Sequence, residues 1–293
     1  MTKTFAGKIG KALSVLVASA LLLVSALMLS ACSGRYPEIS MRISFNGEEY
    51  TLNYILYRNY YQQTVDHYME LIDMDYFDGT VISDYQSDRM VAGGYRYEGE
   101  NTDELIALDY EAATKDADGN VTLENITVWK DAERTQPTNR LHGETSSNGF
   151  SIEDGSGLTN QVGALGAYTY VSSSMQATQR MHYKYSSSDN YGESEYYKNS
   201  FTGLFYLYTS SNNASAGNYC VFGILADEDS ETAFNDLLEA ISTYTEDNDL
   251  DSFAETQEDI VIEDEFIDGG SYNVDFEVPV SAVVIEEVWV TKY

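Results

Sequence analysis

Apolar and polar residues alternate from Met41 through Ile43 to Phe45, and Asn46-Gly47 then separates this run from a second one, Tyr50 to Tyr57. Period-two alternation marks a strand with one buried face, and Asn-Gly suits a tight two-residue turn, so the stretch predicts a β-hairpin. The period then changes. Val65, Tyr68, Met69 and Ile72 recur at helical spacing behind Thr64, a residue type favoured at helix N-caps. Phe234, Leu237, Leu238 and Ile241 repeat that pattern behind Ser230, and Val283 to Val290 (VVIEEVWV) reads as a last strand. The pattern predicts a mainly β protein with two helices. Residues 41–293 are expected to form a single domain, because β structures often reach this size without splitting.

The first thirty-one residues have a different character. Lys3, Lys8 and Lys11 precede an apolar run from Ala12 to Leu29, and Leu29-Ser30-Ala31-Cys32 matches the lipobox of bacterial lipoproteins. Residues 1–31 are thus expected to be a lipoprotein signal peptide cleaved before Cys32, with lipid on that cysteine and residues 32–40 as a tether. More than one acyl chain gives stable anchoring. The expected location is the extracytoplasmic face of the cell membrane. A membrane-spanning helix is the alternative, since the apolar run approaches the length that crosses a bilayer.

Charge narrows the partners. The chain carries −32 in all, and losing the three signal lysines takes it to −35. Such a surface repels a polyanion, and no basic stripe interleaved with aromatics offsets it, so nucleic acid is excluded as a partner. Anionic headgroups are repelled as well, which leaves the lipid as the contact with the membrane. With Cys32 modified, Cys220 alone remains, and its apolar neighbours point to a buried thiol without a disulfide.

Two separated stretches carry a family pattern. Thr64-Val65, Tyr68, Tyr76 to Thr80 and Met90 to Gly94 follow the order of a TV-x-x-F helix, an aromatic pair before DGT, and a strand ending M-x-x-GG. Leu141 to Phe150 (LHGETSSNGF), Gly163-Ala164-Leu165, Phe205-Tyr206-Leu207 and Cys220 to Gly223 (CVFG) continue the series. In these residues the chain resembles the cyclophilin-type peptidyl-prolyl cis-trans isomerases, as a divergent bacterial lipoprotein member. The resemblance implies a closed eight-stranded antiparallel barrel capped by two helices, here with long insertions near 101–138, 168–198 and 243–275. It also implies proline-containing or extended segments of exported proteins as partners, and no cofactor.

That family lowers the barrier to rotation about an X-Pro bond, roughly 18–20 kcal/mol for a peptide bond, with an apolar proline pocket and a guanidinium near the prolyl nitrogen. The gap-free match puts Asp84 where the catalytic arginine stands. A carboxylate only accepts hydrogen bonds when ionised and cannot do that work. Arg89 and Arg180 are the candidate substitutes, with Arg89 pairing to Asp84 or another nearby acid as the alternative. By the same match the substrate pocket comprises Met90, Phe205, Tyr206 and Tyr219, while Ala92, Thr169 and Ala214 replace residues that grip substrate.

Each insertion has its own character. The 101–138 stretch is expected to hold a hairpin about Asp118-Gly119, 168–198 a tyrosine- and serine-rich surface loop, and 243–275 a solvated acidic excursion. Asp116, Asp118 and Asn120 begin like a calcium loop, but Val121 and Thr127 break the pattern. His67, His142 and His182 form no zinc motif, so no metal site is expected. Three functions follow from the residues: a membrane-anchored isomerase with a degenerate site, a non-catalytic peptide-binding lipoprotein of the same shape, or a surface lipoprotein whose insertions bind a glycan or cation.

Overall fold

The computed structural model describes residues 34–97, 105–108, 114–115, 121–122, 141–146, 150, 158–171, 179–184, 191–196, 198–211, 220–263 and 271–293. The expectations for the signal segment, Cys32, the 116–120 loop, Ala214 and Tyr219 lie outside these residues. The chain runs through β1 (Glu38–Phe45), β2 (Glu48–Leu56), helix α1 (Gln62–Asp73), β3 (Thr80–Val81), β4 (Asp84–Tyr85), β5 (Arg89–Ala92), β6 (Tyr95–Tyr97), β7 (Leu105–Ala107), β8 (Thr114–Lys115) and β9 (Val121–Thr122). It continues through β10 (Leu141–His142), β11 (Leu165–Val171), β12 (Gln179–Lys184), β13 (Tyr191–Tyr196), β14 (Lys198–Tyr208), β15 (Val221–Leu225), helix α2 (Glu228–Asp247), β16 (Ala254–Glu263), β17 (Ser271–Pro279) and β18 (Val283–Lys292).

The first hairpin forms because its alternation and its turn agree. Met41, Ile43 and Phe45 are buried, Phe45 pairs with Glu48, and Asn46 and Gly47 both take positive φ, 50° and 84°. Those are the two residue types that tolerate such a turn. From this hairpin the main sheet grows in the order β3-β18-β1-β2-β15-β11-β14-β5-β4, with β10 paired to β14 off that path. The order has two ends, so the described ladders form a curled, mainly antiparallel sheet. The segment between the end strands β3 and β4 bonds to the strand next to each: Ile82 N donates to Val283 O of β18 at 2.9 Å and Ser83 N to Val91 O of β5 at 2.9 Å.

The curl follows from α1. This helix packs against both β18 and β14, the second and seventh strands of the path. In a flat sheet, five spacings of roughly 4.8 Å would hold them about 24 Å apart, twice the diameter of a helix. Helix α1 presents Val65, Tyr68, Met69, Leu71 and Ile72 to the interior. There Tyr68 stacks on Phe222 at 4.5 Å between ring centroids and donates its hydroxyl to Leu204 O at 2.5 Å. Helix α2 packs over β2, β1 and β15, and Phe45, Tyr244 and Phe253 meet edge to face beneath it.

Both helices start earlier than their periodicity suggests. Asp227, not Ser230, caps α2, its carboxylate accepting from Ser230 N at 2.8 Å. Helix α1 begins at Gln62, and its N-cap Tyr61 supplies no side-chain bond. The cap comes instead from Glu144, 80 residues on. Its Oε2 accepts from Thr64 N at 2.9 Å and from Thr64 Oγ1 at 2.6 Å, and its Oε1 lies 3.4 Å from Gln63 N. Glu144 is buried, and that burial pushes its carboxyl up to about 7 against the pull of the Thr64 and Gln63 donors, with Asp66 adding to the rise.

Two insertions differ from expectation. The 168–198 stretch is not a loop throughout, because β12 and β13 form a two-stranded sheet with Arg180 opposite Glu195. The acidic 243–275 stretch is solvated along most of its described residues, as expected, but it is regular rather than irregular: it finishes α2 and then forms most of the β16–β17 hairpin, whose Phe276 and Val278 just beyond it are buried. Along β17 the acids Asp275 and Glu277 alternate with Val274, Phe276 and Val278, so the acidic run hides a strand with one apolar face. Within 101–138, Lys115 pairs with Val121.

Candidate functional site

Strand register decides which side chains share a face. Along β14 and β5 the partners are Phe205 with Ala92, Tyr206 with Val91, Leu207 with Met90 and Tyr208 with Arg89. Asp84 pairs with Val91, Tyr85 with Met90, and Gly166 with Tyr206. Successive residues of a strand point to opposite sides. Met90, Ala92, Phe205 and Leu207 therefore face the interior, while Asp84, Arg89, Val91, Leu204 and Tyr206 share the outer face.

Burial and contacts agree with this division. Met90 and Ala92 are 0% exposed and Phe205 3%, and the Phe205 ring lies edge-on to Phe77 at 5.5 Å and to Tyr68 at 6.0 Å inside the curl. Met90 and Phe205 are thus core residues rather than pocket walls, which corrects the expectation for both. Adjacent aromatics on one strand cannot line the same groove, and Tyr206 is the outward member. Gly93, next to β5, is also fixed by the interior. It takes φ +90°, and a Cβ there would fall 2.6 Å from Gly203 O and 2.8 Å from the Phe205 ring.

The outer face has an aromatic and guanidinium patch. Tyr206 lies 5.3 Å from Tyr168 and 5.8 Å from Tyr208 between ring centroids, and the guanidinium carbon of Arg89 sits 5.1 Å over the Tyr206 ring. Arg89 Nη1 is 3.5 Å from Asp88 Oδ2. The guanidinium thus meets the neighbouring acid rather than Asp84, and it stands beside the outward aromatic ring. Arg180 is on β12, in a two-stranded sheet separate from the main one. Thr169 is on β11, where its backbone partner is Phe201 of β14, four residues before Phe205.

Asp84 is occupied elsewhere. Its side chain is buried; Oδ1 accepts from the backbone N–H of Glu277 at 2.8 Å and Oδ2 from Gln86 Nε2 at 2.8 Å. Burial raises its carboxyl above the ordinary range, opposed by the Glu277 amide, by Gln86 and by the charge of Arg89. The partner amide lies 193 residues away on β17, a strand that no motif in the sequence points to. Around it Val81, Val91, Tyr95 and Leu204 from the main body pack with Phe276 and Val278 of the hairpin, and Tyr206 borders this second apolar cluster.

Other chemistry is sparse. Cys220 is buried and free, 3.6 Å from Thr64 Oγ1, and burial pushes its thiol well up. Among the described residues no group of three or more His, Cys, Asp and Glu is arranged to hold a metal ion. His67 is buried on α1, and His142 and His182 are on β10 and β12. A recess between the β1–β2 turn and α2 is lined by Asn46, Asp236, Glu239, Tyr244 and Asp247, away from the aromatic patch. No described helix is long and apolar enough to cross a membrane.

No family model matches the chain, and no curated protein matches it. Among solved structures, the chain is similar to a cyclophilin-type peptidyl-prolyl cis-trans isomerase of Cryptosporidium parvum. That likeness has a TM-score of 0.41 and 12% identity, and covers 88% of this chain and 99% of that one. A structure of the same enzyme in the presence of the dipeptide Ala-Pro gives a TM-score of 0.39 and 12% identity, over 87% of this chain and 99% of that one.

Proposed function

We propose that this chain is an extracytoplasmic, lipid-anchored protein of the cyclophilin type that holds proline-containing or extended segments of exported proteins at its outer face without isomerising them. The observation that carries the reading is the state of Asp84. At the place where the family motif requires a donor to the prolyl nitrogen, the chain has a buried acceptor with both oxygens already engaged. Such a group cannot draw on the nitrogen lone pair, so amide resonance, and with it the barrier, stays intact.

Binding has better support than turnover. Tyr168 and Tyr206 form a half-buried aromatic pair at the outer face, with Tyr208 buried beside them, of the kind that receives proline rings and extended chain. Arg89 over Tyr206 favours one second reading, in which a relocated guanidinium supplies residual isomerase activity. Closure of the curled sheet into a barrel belongs to the proposal too, supported by the Ile82 and Ser83 amides, which link β3 to β4 and reach β18 and β5, the strands next to the two ends. The lipid anchor is supported by Leu29-Ser30-Ala31-Cys32, and loss of palmitate incorporation in Cys32→Ala would test it.

One assay decides between binding and catalysis. The detergent-solubilised full chain is mixed with a fluorescein-labelled Ala-Ala-Pro-Phe peptide, and binding and cis-to-trans exchange are followed together by polarisation and NMR. Binding with exchange at the uncatalysed rate is the expected result. Acceleration that vanishes in Arg89→Ala would establish the second reading instead.

A further inference from the structure

The β16–β17 hairpin pairs within itself and belongs to no ladder of the main sheet. Its register slips between Gln257 and Ile260, where Asp259 takes φ 59°, a bulge that bends the strand. Side chains seat it. Phe276 and Val278 point to one face of β17 and are buried against Val81, Val91, Tyr95 and Leu204, with the Phe276 ring edge-on to Tyr95 at 5.5 Å. Between them the Glu277 amide donates to Asp84 Oδ1 at 2.8 Å. A stretch of extended chain therefore lies on the outer face next to Tyr206, with one backbone N–H captured by a charged acceptor and alternate side chains in apolar contact. Those are the contacts by which a protein surface holds a bound peptide.

We propose that β17 is an internal occupant of this face and that the hairpin is a displaceable strap latched by Asp84. An extended proline-containing peptide gains the whole face only when the Glu277 amide leaves the Asp84 carboxylate and Phe276 and Val278 lift away. The strap rests on the reading that the outer face binds peptide. It gives Asp84 a task of its own, holding a backbone amide, in place of the one its position in the motif implies. Apparent affinity in such a two-state system falls by the fraction of molecules that are open, so loosening the latch tightens binding.

The test compares the full chain in detergent with Asp84→Ala and Phe276→Ser, using the labelled Ala-Ala-Pro-Phe peptide as probe and hydrogen exchange over residues 254–279 as the record of the strap. Both variants are expected to exchange faster across β17. Both should bind the probe about tenfold more tightly or better, the shift produced by loss of a hydrogen bond to a charged group in Asp84→Ala and of a buried aromatic side chain in Phe276→Ser. In the unmodified chain, bound probe should speed exchange in β17 and slow it in β5 and β14. A variant with faster hairpin exchange and unchanged affinity overturns the strap and leaves peptide binding standing. No binding by any of the three, with the hairpin shown to be freed, overturns the peptide reading and the strap together. Phe276→Ser carries the test if Asp84→Ala fails to fold.

Discussion

Glu144→Gln should flatten the dependence of stability on pH. In the native chain the Glu144 carboxyl is buried at the start of α1 and pushed up to about 7, from an ordinary value of 4.5. The folded state thus holds a proton that the unfolded state has already released between those values. Stability from this group is fully present below about 4.5 and is lost as pH rises through about 7. Two and a half units at 1.36 kcal/mol each amount to roughly 3 kcal/mol across that window. The amide of glutamine does not titrate, so the variant lacks this slope of up to about 1.4 kcal/mol per pH unit. Relative to the ionised carboxylate it also loses one acceptor oxygen among the Thr64 and Gln63 donors, a cost of about 1–3 kcal/mol that should be largest above about pH 7, whereas the protonated native carboxyl offers one acceptor just as the amide does. Asp66, Tyr61 and Cys220 face the same cluster, and a difference between variant and native chain cancels titrations elsewhere in this acidic protein. Urea unfolding at pH 4.5, 6 and 7.5 measures it. Parallel curves for the two proteins would refute the argument and would mean that the helix N-terminus and the three donors keep the buried carboxylate ionised throughout.

Two further outcomes follow from the interior. Gly93→Ala should destabilise the chain by about 2 kcal/mol or more, because a Cβ meets the Gly203 carbonyl at 2.6 Å and φ is +90°; the urea midpoint reads it, and an unshifted midpoint would contradict the close approach of β5 to β14. Cys220 should resist a thiol reagent in the native state and react on unfolding, since burial suppresses its thiolate; rapid native labelling would show that the interior opens there.

Legibility of the sequence followed the range of each interaction. The β1–β2 hairpin could be read because alternation and the Asn46-Gly47 turn are properties of neighbouring residues. Both helices could be read from their apolar stripes, but neither cap could be read fully: Asp227 caps α2 ahead of the expected Ser230, and Glu144 lies far from the helix it caps. The inward aim of Phe205 and Met90 was within reach of the sequence. Phe205 and Tyr206 are consecutive in a strand, so only one could face a groove, and the period-two rule needed only the sign that the sheet register supplies.

The chain by itself thus determined its alternating strands, its two amphipathic helices, its first turn and a series of motif residues that resembles a known family, with an acid where that resemblance implies an arginine. Tertiary structure decided what that acid does. Local periodicity follows from backbone geometry and survives in any context, whereas the partner of Asp84 depends on how the sheet curls and where a hairpin 193 residues away comes to rest. Only that long-range packing makes Asp84 a buried carboxylate holding the Glu277 amide, and separates the outward Tyr206 and Arg89 from the buried Phe205 and Met90.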